Sequence, residues 1–344
     1  MKRKFIIPAS IVALAMLSGC QNGDNEFSDF DYQTVYFANQ YGMRTIELGT
    51  DDNVDLTSDN NHEVKIVAAW GGGYSNKKNV LIDYVVDPSL VDGFYFKDTD
   101  QLVEVMPSDY YTLEGNQINI PSGQINGGVK VHLTDKFFAD RKSVGNCYVI
   151  PVRMTDVSGA DRILTGTAAD ENPVLTNDAH WSVQPKNFML YGVKFVNPWH
   201  GQYLRRGVDN ATVDGQASRI VRHSEYVEND EVVDLTTSAY KEDIVPIKIK
   251  DAQGSDHTID MVLTFADDNS CTLSSASEGA IVAGSGKFVS KGEKNSLGGK
   301  DRDAIYLDYT LDLPGLNMKF ESKDTLVLRT RNVYGSQAFS IERK

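Results

Sequence analysis

The chain has 344 residues, with 34 Lys and Arg against 48 Asp and Glu, for a formal charge of −14 at pH 7. That length fits about two domains, and the acidic balance excludes a general nucleic-acid binder, which needs clustered cations for phosphate. Three Cys cannot build a disulfide scaffold, whereas 41% hydrophobic residues suffice for ordinary packed cores.

Lys2-Arg3-Lys4 opens the chain, and an apolar run from Phe5 to Leu17 follows, broken only by Pro8 and Ser10. About thirteen such residues are too few to span a bilayer with ease and read as the core of a signal peptide. The run ends on Leu17-Ser18-Gly19-Cys20, which resembles the lipobox of bacterial lipoproteins. The resemblance implies removal of residues 1–19 and lipidation of Cys20, hence an outer-membrane protein held by a lipid anchor. Loss of Lys2, Arg3 and Lys4 takes the charge from −14 to −17. Gln21 to Glu26 is polar, acidic and without periodicity, so residues 20–30 read as a tether. Acidic residues at this place resemble the surface-export signal of Bacteroidota-type outer-membrane lipoproteins, which implies display towards the cell exterior.

Beyond the tether the apolar residues recur with period two. Val64, Ile66, Ala68 and Trp70 alternate with other residues, as do Val80, Ile82, Tyr84 and Val86, then Val129, Val131 and Leu133, then Tyr148, Ile150, Val152 and Met154. Gly71-Gly72-Gly73, Asp87-Pro88, Pro121-Ser122-Gly123 and Asn126-Gly127-Gly128 punctuate these runs as turns. Short strands at this spacing predict an antiparallel sandwich of about seven strands over residues 31–165. Pro151 within a strand predicts a sheet edge there, and residues 99–106 read as a brief helical turn ended by Pro107. Cys147 and Cys271 lie in strand-like runs and read as small buried hydrophobes.

This half also carries Tyr84-Val85-Val86-Asp87, Met106-Pro107, Tyr110-Tyr111-Thr112-Leu113, Ile118 to Gly123 and Tyr148 to Met154. The succession resembles the immunoglobulin-like N-terminal module of surface lipoproteins from glycan-utilisation systems. That module also precedes the catalytic domain of some endo-β-N-acetylglucosaminidases. Met106 and Ser122 stand where the family usually has Leu and Ala. The resemblance implies an immunoglobulin-like sandwich and supplies no catalytic residues.

Residues 166–187, polar and punctuated by Pro173 and Pro185, read as a linker. Alternation resumes at Phe188 and runs through Ile244–Lys250, His257–Ala266, Gly286–Ser290, Ala304–Leu313, Asn317–Ser322 and Asp324–Arg331. Ile305, Leu307, Tyr309 and Leu311 form one face, and Tyr306, Asp308, Thr310 and Asp312 the other. About eight to ten strands joined by tight turns predict an antiparallel barrel over residues 188–344, whose closure removes exposed edges. Asn197-Pro198-Trp199-His200-Gly201 resembles the opening of the uncharacterised second domain found behind the same module. It is also similar to lipocalin-like (calycin-like) barrels, where an early Trp packs on a cation from the last strand. Trp199 is then a barrel plug, with Arg329 or Arg331 as its cation. The predicted fold is all-β throughout.

Catalytic patterns are sparse. The six His form no HExxH and no close pair, no zinc spacing of Cys and His occurs, and no G-x-S-x-G or P-loop is present. Asp51-Asp52-Asn53-Val54-Asp55 and Asp267-Asp268-Asn269 hold oxygen ligands of the kind calcium takes, yet neither completes an EF-hand loop, and such residues are ordinary in turns. No metal, cofactor or enzymatic activity is expected. The remaining candidates are rings beside loops: Trp70 and Tyr74 around Gly71-Gly72-Gly73, and Trp181 beside His180. Exposed rings with polar neighbours suit the C–H faces and hydroxyl edges of sugars. The expectation is a non-catalytic surface lipoprotein that binds an oligosaccharide or polysaccharide for an uptake system, with outer-membrane transporter components as partners. Exposed strand edges would favour a structural or adhesin-like role instead. A deep barrel cavity would favour a carrier of an apolar ligand.

Overall fold

The computed structural model describes residues 30–344; the expected signal peptide, the expected lipidation of Cys20 and the expected tether up to residue 29 fall on residues outside the described ones. The chain forms β1 (Thr34–Tyr36), β2 (Tyr41–Glu47), β3 (Glu63–Gly71), β4 (Val80–Val86), β5 (Phe94–Phe96), β6 (Glu104–Val105), β7 (Tyr111–Leu113) and β8 (Gln117–Ile120). Next come β9 (Asn126–Leu133), β10 (Tyr148–Ser158), β11 (Arg162–Ile163), a small ribbon of β12 (Thr167–Ala168) and β13 (Trp181–Val183), and β14 (Phe188–Val196). Two sheets result, one ordered β11-β1-β3-β9-β7 and the other with β2-β14-β10-β4-β8 in sequence, and β6 adds to β10. Val35, Ile66, Ile82, Ile118, Val131 and Phe195, all at most 2% exposed, fill the space between them. The period-two residues are those that point inward, as alternation requires.

The remaining strands are β15 (Gly201–Val213), β16 (Gln216–Arg222), β17 (Glu231–Ala239), β18 (Glu242–Lys250), β19 (Asp256–Phe265), β20 (Ser270–Ser275), β21 (Ile281–Glu293), β22 (Arg302–Leu313) and β23 (Met318–Thr330). From β17 to β23 each strand pairs antiparallel with the next, and β15 pairs with both β17 and β23, closing an eight-stranded barrel. Beyond Arg205 the long β15 exchanges β17 for β16 as its neighbour. Ile305, Leu307, Tyr309 and Leu311 face the interior, all at most 4% exposed. The interior is lined by buried side chains such as Tyr203, Leu235, Val245, Leu263 and Phe320.

Five expectations need correction. Phe188–Val196 was expected to open the barrel, but β14 lies between β10 and β2 and is a central sandwich strand. Its burial on both faces explains its nearly continuous apolar sequence. The expected barrel domain also ends too late: β24 (Ser336–Ala338) pairs with β2 and β25 (Ile341–Arg343) with β5, so the chain returns to the sandwich. The barrel is therefore inserted into the second sheet, leaving from β14 and returning to β24 on either side of β2. Residues 166–187 are an excursion within the sandwich. Pro151 is not on an edge strand; β10 pairs with β14 on one side and with β6 and β4 on the other. It falls between the stretch joined to β6, Tyr148–Val149, and that joined to β4 from Val152 onward, where its missing N–H breaks no ladder. Residues 99–106 form no helix, because Glu104 and Met106 donate instead to the carbonyls of Cys147 and Val149.

Candidate functional site

Trp70 ends the inward-pointing series Val64, Ile66, Ala68 and is 3% exposed, so it is a core residue of the sandwich and offers no platform to a sugar. Its neighbour Tyr74 stands out from the loop after β3 with 70% exposure. Trp181 is half-buried; its indole N–H donates to the Val174 carbonyl at 2.9 Å, while His180 Nδ1 accepts the Val174 N–H at 3.1 Å. These two side chains pin the 166–187 excursion shut. The structure thus separates the three expected rings into a core, a loop and a clasp.

Trp199 does plug the barrel, but on a different partner. Its ring stacks on Phe265 at 3.9 Å and 7° between planes. Arg331 spends its guanidinium on the carbonyls of Leu48, Asn197 and Pro198, at 2.8–3.1 Å, tying both domains at the point of exit and return. Arg141 adds a bidentate pair with Glu242, at 2.7 and 2.9 Å. The ring of Tyr240 reaches from the barrel to Phe138 and Phe195.

At this junction burial shifts the titration of two groups, buried Asp243 and half-buried His200. Asp243 is fully buried, accepts from Asn197 Nδ2 at 2.6 Å, and is pushed by burial up to about 7. Burial, followed by the charge of Arg331, drives His200 down to about 4. Its Nδ1 accepts the Thr237 N–H at 3.2 Å, a bond that the neutral ring makes.

Inside the barrel Asp324 accepts from Arg205 Nε at 2.8 Å, Tyr309 Oη at 2.9 Å and Arg222 Nη2 at 2.5 Å. Arg222 also grips Asp209 at 2.7 and 2.8 Å, and Ser322 donates to the same carboxylate at 2.7 Å. Gly207 makes room: a Cβ there would lie 2.2 Å from Asp324 Oδ1. Each charge in this cluster has an opposite partner, which marks a structural network. The candidate calcium segments are turn-makers: Asp51 accepts from the Asn53 N–H, and Asp268 from the N–H and hydroxyl of Ser270. Among the described residues no group of three His, Cys, Asp or Glu is placed to hold a metal. Cys147 and Cys271 are buried free thiols, each pushed up to about 12 by burial.

A shallow, open groove of about 480 Å³ lies on the outer wall of β21, β22 and β23. Register assembles it from two cross-strand rows: Ser285, Asp308 and Lys323 in one, Lys287, Tyr306 and Thr325 in the next. Tyr306 donates its hydroxyl to Glu293 at 2.8 Å, which fixes the ring, and burial helps push its phenol up to about 12. Lys323 pairs with Asp308 at 3.0 Å. The arrangement offers one oriented ring ringed by donors and acceptors. The sequence does show Tyr306 and Asp308 on an outward face; what it hides is the pair of neighbours that each strand brings beside them.

Residues 198–332 match the family model described as a domain of unknown function, DUF5627, and residues 30–161 match a model described as an N-terminal domain. Among curated proteins no match is found. An auxiliary nutrient binding protein from Bacteroides thetaiotaomicron is 14% identical over 83% of this chain and 90% of its own, with a TM-score of 0.38. A multidomain protein including DUF1735 from Bacteroides ovatus is 12% identical over 86% and 95%, with a TM-score of 0.40. Scores this low bear neither on the fold nor on a ligand. By contrast, a Bacteroides ovatus protein of unknown function, known from its crystal structure, is 60% identical over 92% of this chain and 100% of its own, with a TM-score of 0.89. The chain therefore belongs to the family of that Bacteroides ovatus protein, with the barrel as its DUF5627 domain.

Proposed function

We propose that this protein is a non-catalytic, lipid-anchored surface protein that captures a glycan on the outer wall of its barrel. The observation that carries the reading is the Tyr306 groove. A ring held by Glu293 presents a face at little entropic cost, and Ser285, Asp308, Lys323 and Thr325 surround it with hydrogen-bonding groups suited to hydroxyls. The lipobox-like Leu-Ser-Gly-Cys supports anchoring at Cys20 in the outer membrane, facing the exterior, where a transporter could receive the captured sugar. A glycan array with the chain from residue 21 tests the reading, followed by titration of Tyr306→Ala. The variant is expected to lose about 1–3 kcal/mol, roughly ten- to a hundredfold in affinity. Absence of any glycan ligand, or unchanged affinity in Tyr306→Ala, overturns it. Cys20→Ser should abolish fatty-acid labelling and release the protein from membranes.

A second reading rests on β16. All but its last residue are exposed, it pairs only with β15, and Ile220 and Val221 are 42% and 47% exposed. Such an edge can accept another strand, as adhesin-like or interaction proteins use. Pull-down lost on replacing Val221 by Lys, with glycan binding absent, would favour it.

A further inference from the structure

The sandwich has two poles. The barrel leaves from one, where β14 ends beside Glu47. The register places the start of β1, the end of β3, the β8–β9 turn and the end of β10 at the other. The loops there interlock: Gly72, at φ +102°, passes so close that a Cβ would lie 2.3 Å from the Tyr32 carbonyl oxygen. Gly123 N–H donates to the Asn76 carbonyl at 2.7 Å, and Gln33 N–H to Asp161 at 2.6 Å. This pole displays Phe30 at 74% exposure, Tyr74 at 70%, Ile125 at 60% and Tyr32 at 40%. The Arg162 guanidinium lies 3.2 Å over the Tyr32 ring, and Lys77 and Lys78 are exposed beside Tyr74. Lys77, Lys78 and Arg162 stand at this pole with Asp31 and Asp161, and the sequence just before Phe30 adds Asp24, Glu26 and Asp29.

We propose that this pole is a lipid-docking surface, with its rings at the headgroup level and Lys77, Lys78 and Arg162 towards lipid phosphates. Placement of the tether selects the occupant. Only nine residues lie between Cys20 and Phe30, so an anchor on Cys20 holds this pole within about 35 Å of the bilayer at full extension. Tyr and Phe rings beside cations are the residues that settle at such an interface. The barrel, at the opposite pole, then points away from the membrane, and Tyr74 faces lipid and leaves glycan to the barrel wall. The inference rests on the anchoring proposed above.

The test supplies its own anchor. The chain from residue 21, carrying an N-terminal hexahistidine, is bound to phosphatidylcholine vesicles containing nickel-chelating lipid and brominated acyl chains. Tryptophan is introduced singly as Phe30→Trp, Tyr74→Trp and, on the barrel, Tyr226→Trp, and the wild-type emission is subtracted. Bromine is expected to quench the added emission at 30 and 74 several-fold more than at 226. Quenching that is absent at 30 and 74, or equal at all three, overturns the proposal. Fatty-acid labelling of Cys20 in cells is read separately, so a missing lipid and a non-docking pole give different results.

Discussion

Between its sheets the sandwich packs Ile66, Trp70, Ile82, Ile118 and Phe195 against one another, and its buried acids, Glu47 and Asp59, sit at the barrel pole. The barrel instead encloses Arg205, Asp209 and Asp324 among its Leu and Phe side chains. The charges occur where β15 exchanges β17 for β16, so the wall there has to hold one register without a continuous neighbour. An apolar stripe tolerates sliding by two residues, but Arg205 meets Asp324, and Asp324 fits over Gly207, in one alignment only. The sandwich is fixed by volume, the barrel at this seam by charge and shape together.

The largest effects should test that contrast directly. Asp324→Ala removes a partner from buried Arg205 and half-buried Arg222 and is expected to cost about 3–5 kcal/mol in urea denaturation. Trp70→Ala should cost a similar 3–5 kcal/mol through a cavity, with the glycan affinity of the folded protein unchanged. A Trp70 variant of normal stability and weakened binding would return that ring to the surface.

A smaller effect belongs to the seam between the two halves. Asp243 is raised from 3.8 to about 7, so the folded protein holds an extra proton in that window, and its contribution is lost as pH rises through 7. His200 is lowered from 6.5 to about 4, so its contribution is present above 6.5 and lost as pH falls towards 4. Between about pH 4 and 6.5 the two slopes oppose. Asp243→Asn should therefore make stability rise with pH more steeply than in wild type, by about 1.4 kcal/mol per pH unit, whereas His200→Gln should shift the slope the other way. Denaturation midpoints at pH 4.5 and 6 measure both, and unchanged slopes would show that neither group titrates abnormally.

The smallest effect expected is none at all. Proteolytic nicking of the exposed 169–172 stretch should leave the two fragments associated under native conditions, because β14 stays paired to β10 and β2. Fragments that separate on gel filtration would restore an ordinary two-domain linker at this place.

Much of this architecture was legible. Period two marked the strands, tight turns marked the meander, and Trp199 announced the barrel's plug. Trp70 was legible too, since it shares phase with Val64, Ile66 and Ala68; its position beside three glycines drew attention to the loop and away from the phase. Phe188–Val196 misled for a different reason. A strand buried on both faces carries no alternation to show which sheet it joins, and nearness in sequence to the barrel says nothing of pairing.

By itself the sequence determined which residues turn inward and where the chain bends, because both are local consequences of side-chain period and backbone preference. The tertiary structure alone decided that the barrel is an insertion flanking β2, that Arg331 closes the seam, and that Ser285, Lys287, Tyr306, Asp308, Lys323 and Thr325 share one groove. Those facts depend on register between strands far apart in the chain, and register is set by the sum of many pairings that no single segment encodes.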